Sequence, residues 1–198
     1  MAIRQLSSKE IEIRDSILDL SKTREWEFSG ILNARNEILI ELKTEMLPQR
    51  CEPSADVHIL ANQPDSHLIL HHNHLTKESL SSADWNGACY LFKEIFAHCD
   101  DGTTYYGKVK DKLQVLKNIE QFTYQQHLLS AGNLILNNSQ KLYFFNATPI
   151  DYAKETINNA MKIKGYIEYD VDWGAFCRPC KTVMAIINGA ANDLAARL

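Results

Sequence analysis

Leu70-His71-His72-Asn73-His74-Leu75-Thr76-Lys77-Glu78-Ser79-Leu80-Ser81-Ser82-Ala83-Asp84-Trp85 is the stretch whose reading decides the fold. It begins at the end of an apolar run, Leu68-Ile69-Leu70, and such a run reads as a buried strand. Alternate residues of a strand share a face, so His72 and His74 point together and His71 points the other way. Nine residues separate His74 from Asp84, which stands at the start of an apparent helix. There a carboxylate either favours the helix N-terminus or faces the histidines. Two imidazoles and one carboxylate make three protein ligands, the set a catalytic zinc takes when its fourth position stays open to water.

Upstream of this stretch, Ser7-Ser8-Lys9-Glu10 has the form of a capping box, and Ile11, Ile13, Ile17, Leu18 and Leu20 follow at mostly helical spacing. The pattern predicts a helix over 8–22. Trp26, Phe28, Ile31 and Leu32 predict a strand over 25–32, Asn33–Asn36 a turn, and 37–43 a second strand, so 25–43 reads as a β-hairpin. Residues 44–56, with Pro48 and Pro53, read as a loop, 57–60 as a short strand and 62–66 as a turn before the strand at 67–73.

Downstream, Ala88, Leu91, Phe92, Ile95 and Phe96 predict a helix from Ser82 to about His98. A turn at 100–103 leads to a strand over 104–109. Residues 111–130 read as a helix with Leu113, Leu116, Ile119, Phe122 and Leu129 inward. Short strands are expected within 134–145, where Tyr143, Phe144 and Phe145 read as core. A helix over 149–163 beginning near Pro149, a strand over 166–169 and a helix over 176–198 complete the chain. The expected fold is α/β (α+β), a mixed sheet flanked by helices with a helical C-terminal extension. Residues 1–145 are expected to form the main domain, with 146–198 the extension or part of the same domain.

With 198 residues the chain is long enough for one full core. A net charge of −4 gives no electrostatic case for nucleic acid or an anionic membrane. No apolar run reaches the length of a membrane span, and Met1–Ser7 lacks the apolar core of a signal peptide. Five cysteines, Cys51, Cys89, Cys99, Cys177 and Cys180, are odd in number and unevenly spread, which fits reduced thiols in the cytoplasm better than a disulfide framework. Delivery into a target cell without a classical signal peptide is the other localisation that fits. Cys177-Arg178-Pro179-Cys180 has zinc-ligand spacing but lacks a second pair, and reads as two structural thiols. The Lys108–Lys112 run reads as a solvated face, and His58, His67, His98 and His127 as ordinary histidines.

Hydrolysis at a zinc site needs a carboxylate that takes the water's proton without binding the metal, and a donor for the oxyanion. Glu25 and Glu27 flank Trp26 upstream. Glu27 opens Glu27-Phe28-Ser29-Gly30, whose glycine either admits a close backbone approach or marks a bulge. Ser81 and Ser82 are the candidate oxyanion donors. Glu-x-x-Gly, then His-x-His, then Ser-x-x-Asp, in this order, resembles the JAMM signature of JAB/MPN-domain metalloproteases, in a style closest to bacterial and phage forms. The loose likeness extends to Asp101–Tyr105, and in all the resemblance covers roughly residues 25–109.

That resemblance implies an MPN-like sheet, Zn2+ as cofactor, His72, His74 and Asp84 as its ligands, Glu27 as general base and Ser81 as the oxyanion serine, with Ser82 as fallback. It implies an isopeptidase acting on a protein substrate, ubiquitin or a ubiquitin-like modifier among them, in a homo-oligomer or with a partner protein. The sequence departs from the family in having one residue fewer between His74 and Asp84 and Leu75 where proline is usual. Those departures support a second expectation, a catalytically inactive MPN-like scaffold or a phage- or toxin-associated interaction module. A nuclease of the HNH type, suggested by the letters His72-Asn73-His74, conflicts with the spacing and with the acidic chain.

Overall fold

The computed structural model describes residues 3–48, 50–137, 152–174 and 181–198. Helix α1 (Ser8–Ser21) starts where the sequence says it should. The Ser7 side chain accepts from the Glu10 amide, and the Glu10 side chain accepts from the Ser7 amide, so two orphan donors of the first turn are satisfied reciprocally. Strands β1 (Phe28–Asn33) and β2 (Ile38–Thr44) form the expected hairpin. Strand β3 (Leu68–Asn73) lies antiparallel to β1, with Ser29 opposite His72 and Gly30 opposite His71.

The described chain resolves into two compact units. One holds the residues up to Lys77, Gly87–Lys108 and the stretch from Asp170; the other holds Glu78–Asn86, Val109–Tyr169 and the C-terminal helix. The strand order of the mixed sheet is β2-β1-β3-β4-β5-β6, where β4 is Glu94–His98, β5 Thr104–Val109 and β6 Ile167–Asp172. This is the α+β architecture expected. In the first unit, Ile13 and Ile17 of α1 pack on Phe28 and Leu32 of β1, with Trp26 and Leu20 at the margin. Gly30 lies under that helix. A Cβ there would run into the Ile13 side chain, so its role is to seat α1 on the sheet. The irregularity in the β1–β2 register falls later, between Ile31 and Leu32.

In the second unit, Ile135 of α5 (Gln121–Asn137) packs with Val183, Ile187 and Ala190 of α7 (Lys181–Ala195). Between these helices in sequence lies α6 (Ala153–Ile163), which buries Thr156, Ile157, Ala160 and Met161.

Several elements differ from the sequence expectation. The short strand expected at 57–60 is helix α2 (Ala55–Ala61), in which Val57 is buried but Ile59 is exposed; a brief apolar run does not by itself choose a period. The helix expected over 82–98 ends early, as α3 (Ser82–Tyr90), and Ile95 and Phe96 belong to β4. Strand β4 pairs parallel with β3, and Ile95–His98 are all buried; a strand covered on both faces shows no alternation and imitates a helix. The helix expected over 111–130 is two, α4 (Lys112–Ile119) and α5, broken at Glu120, whose backbone is extended. The break changes the phase. Val115, Ile119, Tyr124 and Ala131 face inward, whereas Leu113, Phe122 and Leu129 are 63%, 69% and 69% exposed. Leu134–Asn137 continue α5 and are not strand, while Tyr143–Phe145, Pro149 and the Cys177–Cys180 pair lie outside the described residues. Among the described residues no helix is long and apolar enough to cross a membrane, and Cys89 and Cys99 are buried while Cys51 is partly exposed.

Candidate metal centre

Strand β3 delivers His72 and then His74 just past its end, on one face as alternation requires. Their Nε2 atoms stand 3.0 Å apart, with the rings edge to face. The His74 amide donates to the His98 carbonyl at 2.9 Å, which carries the β3–β4 pairing past the last strand residue. Asp84 lies in the first turn of α3. One ligand atom from each of His72, His74 and Asp84 lies within 4.8 Å of the others, with His72 buried and the other two partly exposed. Two imidazole nitrogens and a carboxylate oxygen suit a borderline divalent ion such as zinc, so the residues present fit a metal.

Asp84 is oriented by the loop before it. Its Oδ2 accepts from the Ser81 amide and from Ser81 Oγ, both at 2.7 Å, while the Asp84 amide approaches Ser81 Oγ at 3.4 Å. Ser81 is thus the serine bonded to the aspartate; Ser82 begins the helix. Tyr124 is buried in the same unit. Burial, with smaller contributions from the Asp84 and Glu78 carboxylates, pushes its phenol above the ordinary range.

Glu27 lies just before β1 and is fixed through its neighbours. Asn73, the residue between the two histidines, is 2% exposed. Its Oδ1 accepts from the Phe28 amide at 2.6 Å and its Nδ2 donates to the Trp26 carbonyl at 3.1 Å. The side chain therefore replaces a backbone partner on either side of Glu27. Glu27's own amide donates to the Leu47 carbonyl at 2.8 Å, and its carbonyl accepts from Thr44 Oγ1 at 2.7 Å. Cross-strand pairing places Ser29 on the His72 face, and Cys51 Sγ is 3.1 Å from Ser29 Oγ. Burial above all pushes the Cys51 thiol up, against the opposing Ser29 hydrogen bond and Lys43 charge. Asn73 is the residue that sequence reading passed over. Its signal was positional, a polar side chain on the face opposite the histidines that has to find partners when buried.

On that opposite face, His71 Nδ1 and His98 Nε2 are 3.0 Å apart, and both rings stack with Phe96. Glu10 Oε1 lies 3.4 Å from His71 Nε2, and Arg4 holds Glu10 and Glu94 together. His71 is packed and bonded away from the ligand face, as its place on the strand requires. His98 is its buried partner and not the ordinary histidine expected. Burial holds His98 well below the usual imidazole range, and the neighbouring histidines push in the same direction. No protein-family model, no curated protein and no solved structure matches this chain.

Proposed function

We propose that this chain is a metal-dependent hydrolase of the JAMM type, cleaving an amide or isopeptide bond with zinc held by His72, His74 and Asp84. The observation that carries the reading is the convergence of these three side chains, from a strand and the following helix, to within 4.8 Å. Zinc in such a site supplies a Lewis acid and lowers the pKa of its water toward neutral. Glu27 takes the proton of the attacking water and returns it to the leaving nitrogen; Asn73 keeps it in place by bonding the backbone on both its sides. The Ser81 hydroxyl turns from Asp84 to donate to the oxyanion. The sequence resemblance alone supports a ubiquitin-like tail as substrate, and exposed residues of the second unit are the place to look for its recognition.

The test is metal content after purification. The parent is expected to carry about one zinc per chain, and His72→Ala and Asp84→Ala next to none. Glu27→Gln is expected to keep the metal while turnover of a ubiquitin-like conjugate falls by about a hundredfold or more, the usual scale for losing a general base. A folded parent that takes up no added zinc would sink the reading. The commitment of Ser81 Oγ to Asp84 favours one alternative, a scaffold that keeps the metal without turnover. Full metal occupancy together with no turnover of any conjugate by the parent would select it.

A further inference from the structure

The segment that carries Ser81 and Asp84 is held from the C-terminal half of the chain, with three hydrogen bonds from Asn158 of α6. Its Nδ2 donates to Ser79 Oγ at 2.7 Å and to the Leu80 carbonyl at 2.9 Å. Its Oδ1 accepts from Trp85 Nε1 at 2.8 Å. The partners therefore bracket Ser81 and Asp84, two on the loop before them and one on the helix residue directly after. Asn158, Leu80 and Trp85 are all fully buried, so none of these bonds is traded for water. Ser79 is held a second time, by the Tyr169 hydroxyl of β6 at 2.6 Å, and Glu78 pairs with Lys154 one turn before Asn158. Only a primary amide provides two donors and an acceptor in this arrangement; aspartate has the same shape and no donor.

We infer that Asn158 is the positioning residue of the candidate metal centre: it sets the path of residues 79–85 and thereby the angle at which Asp84 and Ser81 are presented. The inference rests on the proposed metal site for its functional consequence. Its structural half, the clamp on 79–85, stands apart from it. Asn158 touches no reacting atom and acts through Ser79, Leu80 and Trp85. Ligand-orienting partners of this kind commonly change metal affinity by about 10- to 100-fold when removed.

The experiment compares the full-length parent with Asn158→Asp, Tyr169→Phe and Ile187→Ala. The last is a cavity variant in the α5–α7 core, placed there to lower stability without touching the loop. Cobalt(II) serves as the metal probe, because its visible spectrum reports ligand geometry. Asn158→Asp is expected to weaken cobalt binding about tenfold or more, to alter the cobalt spectrum, and to lose amide-exchange protection selectively at 79–85. Tyr169→Phe is expected to do the same to a smaller degree, and it carries the test if the aspartate variant does not fold. Ile187→Ala is expected to lower the unfolding midpoint with spectrum and loop protection intact. Parent-like protection of 79–85 in folded Asn158→Asp and Tyr169→Phe overturns the clamp. Selective loss of that protection without change in affinity or spectrum overturns the link to the metal. A parent that binds no cobalt removes the metal reading instead, and the exchange data still decide the clamp.

Discussion

Glu10 and Glu155 are equally buried, each 3% exposed, yet their carboxyls are driven in opposite directions. Glu10, in the first unit, would be raised by burial, but the Arg4 guanidinium and the Ser7 amide bond it, His71 Nε2 stands 3.4 Å away, and together they hold it far below the usual carboxylate range. Glu155, in the second, accepts from Tyr169 and Asn159 and is opposed only weakly by the Lys162 charge; burial wins and pushes it up. The difference teaches that surface exposure alone does not decide a buried carboxyl: the charge of its partners and the depth of its burial do. It also sets opposite linkages. Glu10's depressed pKa gives stability that is present above its ordinary value of 4.5 and lost as pH falls below it. Glu155's raised pKa gives stability that is present below 4.5 and lost as pH climbs from there through its folded value.

The sharpest way to break this comparison is Glu10→Gln. It strands Arg4 beside Glu94 alone, while the glutamine carbonyl can still accept from the Ser7 amide. The expected loss is about 3 kcal/mol at neutral pH, at the low end for a broken buried pair because Arg4 is one-third exposed. Urea unfolding between pH 3 and 7 should also show a shallower acid limb than in the parent; an unchanged midpoint would mean the ion pair contributes nothing. Gly30→Ala comes next. It pushes Ile13 off the sheet and with it the helix that carries Glu10, at about 2 kcal/mol by the usual cost of overpacking. Glu155→Gln has the smallest expected effect. Glutamine imitates the neutral acid, so stability near pH 4 should stay within about 1 kcal/mol, while the decline above 4.5 seen in the parent flattens. A variant that declines with pH as the parent does would show that Glu155 is not the group responsible.

The three residues of the candidate centre, His72, His74 and Asp84, were legible in the chain. The capping box at Ser7, the hairpin and the apolar run Leu68–Leu70 that opens the strand bearing His72 and His74 follow from local chemistry and composition. Strand β4 was not legible, since Ile95–His98 are buried on both faces and carry no period. Nor was the phase of α4 and α5, which turns on a single extended residue, Glu120. Asn158 gave least warning. It stands in an Asn-Asn pair within an amphipathic helix, and only the distant partners Ser79, Leu80 and Trp85 give it meaning. Side-chain bonds spanning more than 70 residues leave no local mark.

Asn73 has a consequence for how such a motif is written down. A pattern of the form His-x-His spells out the two letters that do chemistry and leaves the middle blank. In this chain the blank is filled by an amide that joins the strand to the segment around Glu27, donating on one side and accepting on the other. Aspartate would lose the donor and leucine both groups, so the letter with no chemistry is the one with the narrowest spelling. Read as text, the triplet is one word whose vowel is set by the fold and whose consonants are set by the metal.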